Sequence, residues 1–131
     1  MKPEGSAENR FLGESGWVVG MVKGRADNEP YEVVGITCFD AEKGKIVATG
    51  ANSILPPKLA LDEGTYDEAS KTIFWKEQEI LEPGSGKKVT VKAEDNYKGE
   101  DRFVSIVYIK RPGSDRFVKW VELAGTKRNR S

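Results

Sequence analysis

The stretch Lys87-Lys88-Val89-Thr90-Val91-Lys92-Ala93-Glu94-Asp95-Asn96, then Tyr97-Lys98-Gly99-Glu100-Asp101, then Arg102-Phe103-Val104-Ser105-Ile106-Val107-Tyr108-Ile109-Lys110 decides the fold of this chain. Two runs rich in Val, Ile and aromatic residues flank a short polar segment with a glycine, which is the signature of antiparallel strands joined by a hairpin. The rhythm continues in both directions, with strands expected at 17–23, 31–39, 45–52, 58–66, 72–80, 87–96, 102–110 and 116–125. Between them lie Asp-, Gly-, Pro- and Ser-bearing segments such as Glu82-Pro83-Gly84-Ser85-Gly86 and Pro112-Gly113-Ser114-Asp115. Glycine supplies positive φ there, proline presets the turn, and Asp or Ser bonds back to the backbone. Helical spacing is nowhere sustained. The expectation is an all-β antiparallel meander of about eight strands that curls into a barrel or a partly open barrel.

At 131 residues the chain is expected to be a single domain, with 1–15 and 127–131 flexible and a corner at Pro56-Pro57, where ladder hydrogen bonds cannot be donated. Lys+Arg and Asp+Glu number 21 each, so no net field draws the chain to nucleic acid or to an anionic membrane. The single cysteine, Cys38, rules out an internal disulfide, reads as a small core residue, and fits a cytoplasmic location. No apolar run has the length of a signal peptide core or a membrane span. Histidine is absent, which removes His general bases, Ser-His and Cys-His pairs and most zinc sites. Catalysis would fall to carboxylates, Lys, Tyr or the thiol.

Neighbouring strand side chains alternate faces, and mid-strand lysines are ordinarily solvated. Setting Lys58, Lys76, Lys92, Lys110 and Lys119 outward turns Leu59, Leu61, Ile73, Trp75, Val89, Val91, Ala93, Phe103, Val107, Ile109, Val118 and Trp120 inward. The same rule turns Glu63, Glu77, Glu79, Asp95 and Glu122 inward. It leaves Val104, Ile106, Tyr108, Phe117, Val121 and Leu123 outside, an apolar surface that the N-terminal segment or a second subunit is expected to cover.

From about Phe11 to Arg128 the chain resembles an uncharacterised bacterial family, domain of unknown function 1579. The likeness rests on Glu63-Gly64-Thr65-Tyr66-Asp67-Glu68-Ala69-Ser70-Lys71-Thr72 with Trp75, on Gly86-Lys87-Lys88-Val89-Thr90-Val91, and on Asp101-Arg102-Phe103-Val104 with Tyr108. It extends to Val121-Glu122-Leu123 and, upstream, to Asn28-Glu29-Pro30-Tyr31-Glu32. The resemblance implies a calycin- or lipocalin-like β-barrel that lacks the family's N-terminal part, and it implies no reaction. Ile106 stands where the family pattern would place an acidic residue.

The favoured reading is a non-catalytic module whose interior takes a small, mostly apolar molecule, with no cofactor and no metal. Its expected ligand-binding residues are Trp75, Glu77, Val91, Val107, Trp120 and Glu122. The alternatives are a carboxylate enzyme that uses Glu77 and Glu122 as an acid/base pair, and a purely structural dimerisation module.

Overall fold

The computed structural model describes residues 3–26, 29–53, 61–99 and 102–126. Ten strands follow one another: β1 (Pro3–Phe11), β2 (Val18–Ala26), β3 (Glu29–Asp40), β4 (Lys45–Asn52), β5 (Asp62–Asp67), β6 (Thr72–Trp75), β7 (Gln78–Leu81), β8 (Lys88–Tyr97), β9 (Arg102–Lys110) and β10 (Val118–Thr126). Each pairs antiparallel with its neighbour, and β6 and β7 both pair with β8, so they act as one interrupted strand. The nine resulting rungs form a strongly curled half-barrel. Its ends, β1 and β10, are each paired on one side only among the described residues. The all-β antiparallel meander expected from the sequence is borne out. The sheet starts earlier than expected, because β1 falls within the segment taken as a flexible lead-in. Pro56-Pro57, Lys58, Leu59 and the tail 127–131 lie outside the described residues.

The register divides the strands into two faces. Tyr31, Ile73, Val89 and Ile109, the buried hydrophobic residues among those described, share one face. We take this as the concave side. Non-turn glycines gather there, and Gly20, Gly35 and Gly50 sit side by side across β2, β3 and β4. A Cβ added at Gly50 would lie 2.6 Å from the Val34 carbonyl oxygen, so the strands approach more closely there than a side chain allows. A row without side chains lets a sheet bend sharply towards that face.

Two one-residue irregularities reset the alternation. The pairs Phe74↔Glu94 and Gln78↔Val91 bracket one at Lys76-Glu77, and the shift between Lys119↔Tyr108 and Val121↔Val107 places another at Trp120. A bulge adds one unpaired residue and so reverses which face every later side chain takes. Val121 and Leu123, expected outside, are therefore concave and half-buried, while Glu122 and Ala124 are convex and exposed. Ile73, Trp75, Val89, Val91, Ala93, Phe103, Val107 and Ile109 lie on the concave face. Val104, Ile106 and Tyr108 are convex but half-buried. The Lys92 ammonium lies 5.7 Å from the Tyr108 ring centre, and Lys92 and Lys110 lie 4.5 and 5.0 Å from that of Phe117. The Lys92 and Lys110 side chains thus lie over the Tyr108 and Phe117 rings of this surface.

Candidate functional site on the concave face

On the concave face Asp95 of β8 joins three strands. Its Oδ2 accepts a hydrogen bond from Trp75 Nε1 of β6 at 2.8 Å, and its Oδ1 accepts one from Ser105 Oγ of β9 at 2.5 Å. Both carboxylate oxygens are engaged, which fixes the indole orientation. The Trp75 ring lies over Gly64 on β5, where an added Cβ would stand 2.9 Å from the ring and 2.8 Å from Ile73 Cγ2. Phe103 likewise covers Gly125, with a ring carbon 2.3 Å from where a Cβ would be. Aromatic plates thus occupy the spaces that glycines leave open.

Asp62 opens β5 on the same face, opposite Ala48. It is half-buried, and burial pushes its carboxyl above the ordinary range. Burial also raises the Tyr97 phenol, aided by the nearby charges of Asp95 and Tyr66. No lysine or arginine stands at a concave position of any described strand. The acids there are Asp62, Asp95 and, at the β2–β3 tip, Glu29.

Of the residues expected to contact a ligand, Trp75, Val91 and Val107 come together on this surface. Trp120 is the unpaired, half-buried residue of the β10 bulge. The expected inward placement of Glu122 is corrected: it pairs opposite Ile106 on the convex face and meets Lys119 Nζ at 3.5 Å. Glu77 is exposed in the β6–β7 link, so no acid/base pair with Glu122 forms across the sheet. Glu63 and Glu79 are also convex, joined to Lys43 at 3.0 Å and Lys88 at 3.8 Å. Lys43 holds the Glu63 carboxyl below its usual range. Among the inward carboxylates expected from sequence, only Asp95 is concave. Leu61 precedes β5 and is largely exposed. Asp62 and Ser105 were missed.

The fold and its site define an open β half-barrel with an apolar, aromatic trough. The chain belongs to the DUF1579 family, described as a protein of unknown function, whose model matches residues 1–126. No curated protein and no solved structure matches it significantly. Among the described residues no helix is long and apolar enough to cross a membrane, and no three Cys, Asp or Glu side chains gather as a metal site.

Proposed function

We propose that the concave face binds a small, mostly apolar molecule without transforming it. One observation carries this reading: the trough presents Trp75, Val91, Val107, Val121 and Leu123 as half-buried surface, while only four hydrophobic residues in the described structure are buried. Surface of this kind, with a few fixed polar groups such as the Asp95 carboxylate, is what ligand sites are made of. Titration with the neutral apolar dye Nile red, followed by its emission and by tryptophan fluorescence, is expected to saturate at one dye per trough. The dye is expected to bind several-fold more weakly to Trp75→Ala. Absence of saturable binding, together with no ligand in native mass spectra of the purified protein, would sink the proposal.

A second copy that closes the trough is favoured by a separate observation. Residues 1–70, which hold β1 to β5, carry seven Lys/Arg and twelve Asp/Glu, whereas residues 71–131, with β6 to β10, carry fourteen and nine. A chain of zero net charge is thus acidic at one end of its sheet and basic at the other. A two-fold arrangement sets the acidic end of one protomer beside the basic end of its partner, where the free edges β1 and β10 lie.

A further inference from the structure

We propose that the ligand of the trough is a small apolar cation, an alkyl- or arylammonium held by Asp62 against aromatic faces. This rests on the binding reading above and names the chemistry of its occupant.

The described ion pairs are convex or lie at turns: Lys23 with Glu32, Lys43 with Glu63, Lys88 with Glu79, Arg111 with Glu82, and Lys119 with Glu122. Among the described residues the concave face contributes carboxylates and receives no lysine or arginine. Asp95 is satisfied by Trp75 and Ser105, so its charge is anchored in place. Asp62 is half-buried on this face, and among the described residues it makes neither an ion pair nor a hydrogen bond. A half-desolvated carboxylate of this kind is destabilised when empty and relieved by a positive ligand. Gly64, two residues along β5, lies about 7 Å from Asp62 by strand geometry and carries the half-buried Trp75 ring packed on it, which brings an aromatic side chain close to Asp62 on the same face. Tyr66 and Tyr97 continue the aromatic surface, and both are exposed. Ring faces attract ammonium groups, the more so out of water. A carboxylate or phosphate ligand would instead meet Asp62 and Asp95 with no lysine or arginine to neutralise it.

Three probes with one chain length separate the possibilities: octyltrimethylammonium, octanol and octanoate, each titrated below its aggregation limit in competition with Nile red at pH 8 and low salt. The ammonium is expected to bind at least about ten-fold tighter than the alcohol, with octanoate weakest. Asp62→Asn is expected to bring the ammonium down to the affinity of the alcohol while leaving alcohol binding and the circular dichroism spectrum unchanged. Alcohol or octanoate binding as tightly as the ammonium would overturn the cation proposal and leave the binding reading standing. Failure of all three to displace bound Nile red would likewise overturn the cation proposal alone, whereas absence of saturable Nile red binding, with no ligand in native mass spectra, would overturn both.

Discussion

Asp95 shows how one side chain ties a curled sheet together, because its two oxygens take hydrogen bonds from strands on either side of β8. Removing it in Asp95→Ala leaves the Trp75 and Ser105 donors without their acceptor, a change that costs about 1–3 kcal/mol for part-buried groups. Urea unfolding is expected to show that loss, and Ser105→Ala a smaller one. Gly64→Ala pushes a methyl into the Trp75 ring and Ile73, and overpacking of that kind costs about 1–3 kcal/mol. Lys71, at φ 53°, sits in the left-handed region that glycine prefers, so Lys71→Gly is expected to stabilise the β5–β6 hairpin by up to about 1 kcal/mol. Asp62 sets the sign of one pH effect. Its folded pKa is raised, so its contribution to stability is present below the unfolded value of 3.8 and is lost as pH rises through the folded one. NMR titration is expected to place this carboxyl above, and Glu82, held by Arg111 and Ser85, below the ordinary range. An unshifted Asp62 would contradict the burial assigned to it. Asp95 was legible as inward because Lys92 fixes the parity of a regular strand. Asp62 was not, because Lys58 was taken to set the parity of a strand that begins only at residue 62.

At the scale of the strand, alternation reads correctly until a bulge intervenes. The spans 45–52 and 102–110 coincide with β4 and β9, since both are uninterrupted and bounded by turn residues. Past Trp120 the same rule fails, and it fails again past Lys76-Glu77. Trp120 lies inside an otherwise regular apolar run and Lys76-Glu77 opens the polar run Lys76-Glu77-Gln78-Glu79, and neither bulge carries a glycine or proline to mark it. The reversal has a direct test in β10. Leu123→Glu places a charge on the half-buried concave surface and is expected to cost about 2 kcal/mol or more. Glu122→Gln, on the exposed side, is expected to stay within about 0.5 kcal/mol of the parent. Equal effects in chemical denaturation would restore the unbulged register.

For the whole molecule, the sequence reading captured the curled meander and allowed for a partly open barrel, but did not decide between an open and a closed one. Openness depends on where β1 and β10 end up relative to each other, and local pattern is silent on that. It matters for assembly. If unlike ends of the sheet attract, light scattering at micromolar concentration is expected to show a dimer that dissociates as salt is raised from about 0.05 to 0.5 M, a range over which screening shortens to a few ångströms. A salt-insensitive monomer would contradict the charge argument. The bare stripe of Gly20, Gly35 and Gly50 has a mechanical corollary. With no side chains to jam on the inside of the bend, the sheet carries a built-in crease. The gape of the cradle is then expected to be its softest coordinate, and guests of the proposed kind but unequal girth are expected to be met by flexing along that line, without repacking of Val89 and Ile109.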